Sequence, residues 1–187
     1  MNRIDRYLPK YDFNERHACE VKASPDVVIA IAAAYRPESD PFFRRMIALR
    51  EVPMRGLRRL LRREGPAPAS FGMQNFLLLE QAAGSSLVYG LVGRFWRTDY
   101  GLVTLSDGEA FRAYGEPGVP KLALAFRAEA IGEGRTRLST ETRVFCPDRG
   151  AWLRFAPYWY AIRPVSGLIR SRILASIRRQ SERLAAG

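Results

Sequence analysis

The chain alternates between two periods of apolar and polar positions. Residues 17–23 alternate with a period of two, which predicts a first strand with His17 and Cys19 on one face. The Ser-Pro-Asp sequence at 24–26 is a helix start signal, so a short helix is expected to run to about residue 35. Asp40-Pro41 repeats this signal before a second helix over 42–50, and the Leu/Arg pattern of 54–64 predicts a third.

From residue 70 onward the pattern is typical of strands and turns. Segments 71–81, 87–96 and 109–114 predict strands, and 98–106 is ambiguous. Gly90 and Gly93 suit bends or bulges in a curved sheet. Residues 121–131 and 136–146 predict a hairpin around the Gly-Glu-Gly turn at 132–134.

One register of this hairpin buries both of its apolar faces. Because side chains alternate along a strand, a slip of one residue would turn one apolar set to the wrong side. Glu141 and Arg143 then lie on the opposite, outward face together with Arg127 and Arg137, so arginine partners are expected for Glu141. The apolar faces consist of Leu122, Leu124, Phe126 and Ala128 on the first strand and Leu138, Thr140, Thr142 and Val144 on the second.

A long one-sided helix follows the hairpin. Asp148 is placed to cap it, and aromatic residues then recur at helical spacing. Pro157 is expected to kink the helix and Pro164 to break or restart it, after which an apolar stripe continues to Ile177. Such a helix requires a large apolar surface, which the sheet provides. Its ring-bearing face consists of Trp152, Phe155, Tyr158, Trp159 and Ile162.

Length and composition favour a single domain over 1–187 with an extended lead-in over 1–13. The longest uncharged apolar run, 27–35, is about half of what a membrane-spanning helix requires, and no signal peptide is expected. Cys19 and Cys146 lie far apart in a chain without a disulfide framework. We therefore expect a cytoplasmic location.

The net charge of +11 lies at the two ends of the chain: +5 over 1–64, −1 over 65–148 and +7 over 149–187. A solvated helix face is the simplest interpretation, but a basic amphipathic helix can also dock on an anionic membrane or an acidic partner. Nucleic acid is disfavoured as a partner, since the aromatic residues lie on apolar stripes and not between the arginines. The candidate docking residues are Arg55, Arg58, Arg59, Arg62 and Arg63.

The sequence offers little catalytic chemistry. His17 is the only histidine and neither cysteine has metal-ligand spacing, so we predict no metal and no cofactor. No nucleophile motif and no phosphate-binding loop is present. Glu80, Asp99 and Glu141 are candidate acid/base groups, but no spacing pairs two of them, and no catalytic residue is assigned.

Several segments resemble the helix-grip fold of the START and polyketide-cyclase-like superfamily, SRPBCC. They are the strand and helix start at 17–26, the strand at 140–144, Phe-Ala-Pro-Tyr-Trp at 155–159 and Ser-Gly-Leu-Ile-Arg at 166–170. The likeness covers residues 18–184. It implies an α+β protein in which a curved antiparallel sheet of about six to seven strands wraps a long C-terminal helix, with two or three short helices after the first strand.

The resemblance also implies a cavity between sheet and helix that holds a hydrophobic small molecule or lipid. Two alternatives stay open: a cyclase- or aromatase-like enzyme that uses the same cavity without a metal, and a peripheral membrane or partner-binding module. Polar groups that converge at one place in the cavity would favour the enzyme. The expected ligand-binding residues, each also suited to an ordinary core, are Tyr89, Arg94, Leu122, Leu124, Phe126, Leu138, Thr140, Thr142, Trp152, Phe155, Tyr158 and Trp159.

Overall fold

A computed structural model describes residues 2–36, 72–97 and 99–186. The helices predicted over 42–50 and 54–64 lie outside the described residues, and so do the candidate docking arginines from Arg55 to Arg63. The described elements are α1 (Ile4–Tyr7), β1 (Phe13–Val21), α2 (Pro25–Ala34), a 3₁₀ turn (Met73–Asn75), β2 (Leu77–Ala82), β3 (Ser86–Val92), α3 (Gly108–Ala113), β4 (Lys121–Gly132), β5 (Arg135–Phe145) and α4 (Arg149–Ala186).

The strands in the described ranges form one open antiparallel sheet in the order β1-β5-β4-β3-β2. This confirms the α+β class and the antiparallel sheet. The described residues form five strands, fewer than the about six to seven that were predicted. Residues 109–114 form a helix and not the predicted strand. The carboxylate Oδ1 of Asp107 accepts a hydrogen bond from Ala110 N at 2.8 Å and caps α3, so the Asp-Gly-Glu start signal outweighs the short alternation.

The register of the β4–β5 hairpin agrees with the prediction at every apolar position. The turn is closed by Gly134, whose φ of +61° lies in the region that favours glycine. We call the face of the sheet that carries these apolar residues the inner face. Its cross-strand pairs are Leu122–Val144, Leu124–Thr142, Phe126–Thr140 and Ala128–Leu138.

In the described part of the chain, two helices cover the inner face and form two apolar clusters with it. The second half of α4, through Ile169, Ile173 and Ile177, packs together with α2 over β4. The first half of α4 places its rings against Phe13 of β1 and Phe95 beyond β3. As predicted, α4 is the long apolar-faced helix that the sheet carries.

The break predicted at Pro164 is wrong, since a single helix runs through Pro157 and Pro164. The kink at Pro157 stays a prediction. Both prolines are exposed, and so are Leu153 and Tyr160, four residues before them. A proline removes the hydrogen bond to the carbonyl four residues earlier. Because these positions face solvent, water can solvate the two carbonyls, and the helix continues. Asp148 caps its start as predicted, accepting from Ala151 N at 2.8 Å.

The outer face of the sheet is a second core and not a solvent face. Ile4, Tyr7 and Leu8 pack with Phe111 of α3 against β3 and β4. The lead-in is therefore not extended as predicted, because a helical turn over Ile4–Tyr7 brings its apolar side chains onto the sheet. Glu141, predicted to face outward, lies on this face but is buried there.

Gly90 lies in a regular part of β3 and forms no bulge. The bulge lies instead in β2, between Leu78 and Glu80. A Cβ added at Gly90 would lie 2.8 Å from Phe111 Cδ2 and 2.9 Å from Leu79 Cδ1. The glycine thus allows close approach of these side chains from the outer core.

Candidate functional site

The inner face carries four polar side chains between its two apolar clusters. Glu15 and His17 of β1 lie directly opposite Thr142 and Thr140 of β5, and we call these four the polar quartet. His17 Nε2 lies 2.8 Å from Glu15 Oε1. A Cβ added at Gly167 of α4 would lie 3.3 Å from Glu15 Oε1 and 3.6 Å from His17 Cε1. The absence of a side chain at Gly167 therefore lets the helix pass close over the pair.

One member of the quartet is buried without a partner. Thr140 is 2% exposed, and its Oγ1 has no hydrogen-bond partner among the described residues. An unsatisfied buried hydroxyl costs about 1–3 kcal/mol, so such groups in folded proteins usually signal a water or a ligand. Thr140 can donate to, or accept from, a polar atom that enters the inner face.

Half-buried side chains show where the inner face is open. Leu122 lies on the central strand β4, and its cross-strand partners Leu91 and Val144 are buried, yet Leu122 itself is only half-buried. Tyr89, on the next row of β3, is half-buried as well and packs edge-on against Phe126 with ring centroids 6.5 Å apart. An accessible side chain in the middle of a sheet requires a gap in the layer that the described residues form over it.

We call the gap over Leu122 and Tyr89 the inner opening. Leu122 touches both apolar clusters, and so does Phe76 from the segment before β2. Thr142 pairs with Leu124, which adjoins both Leu122 and Tyr89 in the sheet. The polar quartet and the inner opening are therefore neighbours on one face.

The other predicted ligand-binding residues are mostly packed core. Leu124, Phe126 and Leu138 are buried under α2 and the second half of α4. Phe155, Tyr158 and Trp159 are buried on the sheet-facing side of the first half of α4. There the Phe155 ring centroid lies 5.7 Å from that of Tyr158 and 5.9 Å from that of Trp159.

Two of the predicted residues lie apart from the rest. Trp152 is 39% exposed and stacks on Phe13 with centroids 6.0 Å apart. Arg94 lies beyond the end of β3, where its Nη2 is 3.7 Å from Glu116 Oε1. Of the twelve predicted residues, Tyr89 and Leu122 thus lie at the inner opening, whereas Thr140 and Thr142 are buried in the polar quartet on the same face.

The candidate acid/base groups do not meet at this site. Glu80 forms an ion pair with Arg3, and Asp99 pairs with Arg97 at 2.9 Å. Glu141 lies on the outer face. None of the three is placed to act on a molecule in the inner opening.

The carboxylate at the site is Glu15, which sequence reasoning missed. The predicted strand began at residue 17, whereas β1 begins at Phe13. Because Glu15 is a polar residue on the same face as Phe13, the alternation of apolar and polar positions was not recognised before residue 17. The spacing of two between Glu15 and His17 was the available signal, because it places both side chains on the same face of a strand.

Neither cysteine offers a nucleophile at the inner opening. Both thiols are free. Burial raises the pKa of Cys146 to about 12, and the carboxylates of Asp12 and Asp148 act in the same direction. Burial also raises the pKa of Cys19. Both therefore stay as thiols near neutral pH, the form that is a poor nucleophile.

Within the described ranges, no group of three or more His, Cys, Asp and Glu side chains is placed to hold a metal ion. The same ranges contain no helix with both the length and the hydropathy needed to cross a bilayer. No protein-family model, curated protein or solved structure matches the chain, so the geometry of the inner face is the basis for inferring its function.

Proposed function

We propose that the chain has a helix-grip fold of the SRPBCC kind and binds an apolar small molecule or lipid in the inner opening, for transport or sensing. The observation that carries the proposal is the accessibility of Leu122 on the central strand, between buried cross-strand partners. Small-molecule sites are mostly apolar, with a few polar groups that fix orientation. Here Leu122, Tyr89 and Phe76 supply the apolar wall, and the polar quartet supplies the anchor.

The polar quartet restricts the class of ligand that can bind in the inner opening. Thr140 Oγ1 is available to one hydrogen bond, and the Glu15–His17 pair adds further polar atoms on the same face. A ligand that places a hydroxyl or carbonyl oxygen near Thr140 would satisfy a group that the described residues leave unpaired. The ligand is therefore an apolar molecule with at least one such oxygen.

A larger side chain that fills the inner opening should weaken the binding of an apolar ligand there. We expect Leu122→Trp to weaken binding of the neutral dye Nile red at least about tenfold, because the larger side chain occupies the gap. The measurement is a fluorescence titration of the purified protein. Leu153→Trp makes the same change at a leucine that is 55% exposed on α4 and should leave the affinity unaltered.

A further variant separates loss of the site from loss of the fold. Leu122→Ala enlarges the opening and should still bind the dye, and thermal melts establish which variants are folded. Organic extraction of the unaltered protein, followed by mass spectrometry, should release a co-purifying apolar molecule. Equal dye binding by Leu122→Trp and Leu153→Trp, or repeated extracts with no ligand and no dye binding, would refute the proposal.

A second candidate function, an enzyme of the cyclase or aromatase kind, is favoured by the convergence of the quartet. His17 Nε2 and Glu15 Oε1 are within hydrogen-bond distance, which orients the imidazole, and an oriented imidazole can move a proton on a bound molecule. The two functions differ in what His17→Asn does to the extracted ligand. A binding protein should yield the same mass from both proteins, whereas an enzyme that closes a ring and eliminates water should yield unreacted substrate, heavier by the water it has not lost, from the variant.

A further inference from the structure

A second cavity lies on the outer face, away from the inner opening. It has a volume of about 510 Å³ and is bounded by the segment that follows α1, the end of α3 and the start of β4. This volume is within the range of about 300–1,000 Å³ that is usual for small-molecule sites. Four of its ten lining residues are cationic, and we call the cavity the basic cleft: Arg6, Lys10, Arg112 and Lys121.

Lys121 is the unusual member of the cleft, because it is 8% exposed. Its Nζ donates to the carbonyls of Phe111 at 3.2 Å and Arg112 at 3.1 Å, at the end of α3. An ammonium group has three N–H donors. The described residues supply carbonyl acceptors for two of them, and Nζ also lies over the Phe111 ring, 5.4 Å from its centroid. Burial also lowers the pKa of Lys121, as expected for a cation short of countercharge.

The charges around Lys121 are not balanced. Glu109 is the single carboxylate among the described residues that line the cleft, and it pairs with Arg112 at 2.9 Å. Arg6 is 3.6 Å from Glu80, but its side chain is 60% exposed, so this pair is open to solvent and weak. Low-dielectric walls around a cluster of cations focus their electric field and raise the local concentration of anions.

We infer that the basic cleft binds a small molecule that carries a phosphate group. A phosphate presents several acceptor oxygens and a negative charge, which match the four cationic side chains that line the cleft: Arg6, Lys10, Arg112 and Lys121. The remaining volume accommodates the organic part of a phosphomonoester. This site shares no residue with the inner opening, so it stands or falls independently of the function proposed above.

Calorimetric titration with inorganic pyrophosphate tests the inference. The double variant Arg6→Gln/Lys10→Gln removes two exposed cations without disturbing the core and should weaken binding at least about tenfold. Lys121→Met should do the same if it stays folded. The control, Arg178→Gln/Arg179→Gln, removes the same charge from exposed positions on α4 and should change the affinity less than about twofold.

Vesicle sedimentation distinguishes a soluble phosphate ester from a lipid headgroup. Binding to pyrophosphate without retention on phosphatidic acid vesicles assigns the cleft to a soluble ester. Retention on phosphatidic acid but not on phosphatidylcholine, lost in Arg6→Gln/Lys10→Gln, assigns it to a headgroup. Absence of both kinds of binding, or an equal loss in the α4 control, would overturn the inference.

Discussion

Arg143→Met is expected to lower the free energy of unfolding by about 3 kcal/mol, because it leaves buried acceptors without their donor. Arg143 is 4% exposed on the outer face. Its Nε donates to Glu141 Oε1 at 2.7 Å, and its Nη1 donates to Asp5 Oδ1 at 2.7 Å and to the Leu8 carbonyl at 3.0 Å. The guanidinium thus ties the N-terminal segment to the sheet.

The figure of about 3 kcal/mol is at the lower end of the range for breaking a buried pair. Glu141 keeps other donors in the variant, with Arg16 Nη2 at 2.8 Å and Asn14 Nδ2 at 2.8 Å. Burial by itself would raise the pKa of Glu141, but hydrogen bonds from Arg143, Arg16 and Asn14 outweigh it, and the net pKa is lowered. Glu141 is therefore ionised near neutral pH and needs these partners.

Urea unfolding of matched variants measures this contribution. Arg127→Met is the control, since Arg127 pairs with Glu129 at 2.6 Å and both side chains are more than 40% exposed. The control should lose less than about 1 kcal/mol. Arg143→Met/Glu141→Leu should recover part of the loss, because it removes the unpaired carboxylate too. If Arg143→Met costs no more than Arg127→Met, the buried network contributes no more than a surface pair.

The inner face of the hairpin was predictable because its bulky apolar residues recur at every second position. Leu124 and Phe126 alternate with alanines and an arginine, and only one register pairs them with Thr142 and Thr140. The prediction of arginine partners for Glu141 was also right, but the partners are Arg16 and Arg143 instead of Arg127 and Arg137. Arg16 comes from the pairing of β1 with β5, which a hairpin considered alone does not contain, whereas Arg143 lies two residues from Glu141 on β5 itself.

The second core escaped prediction because its parts are short. Ile4 and Tyr7 are two apolar residues on a single helical turn, too few for a period to emerge. Phe111 lies in a six-residue helix whose alternation resembles that of a strand. Both segments are buried only because the outer face of β3 and β4 is apolar, which is a tertiary property.

Part of the candidate site could be predicted from the sequence and part could not, again because burial depends on tertiary packing. Thr140 and Thr142 follow from the hairpin register, and Leu122 from the same alternation. Which apolar residues stay accessible depends on how α2 and α4 sit on the sheet, and periodicity along one strand does not report this. The aromatic stripe of α4 therefore predicted the packing surface correctly while leaving open which of its rings fill the core.

Phe155→Ala is expected to lower the free energy of unfolding by about 3–5 kcal/mol, the usual cost of deleting a buried aromatic ring. Phe155 is 1% exposed. Its ring centroid lies 5.0 Å from that of Phe13 and 6.1 Å from that of Phe95, in addition to its contacts with Tyr158 and Trp159. Truncation would leave a cavity that these four rings cannot all fill.

Trp152→Ala is the matched control, one turn earlier on the same face of α4. Because Trp152 is 39% exposed and Phe13 is its one ring contact among the described residues, its loss should cost about 1 kcal/mol in the same urea experiment. Equal costs would mean that the ring cluster is not the core of this half of the molecule.

The Nile red affinity of folded Phe155→Ala decides whether Phe155 belongs to the core or to the wall of the ligand site. An unchanged affinity places the ligand over Leu122 and Tyr89, whereas a large change would assign Phe155 to the ligand site itself.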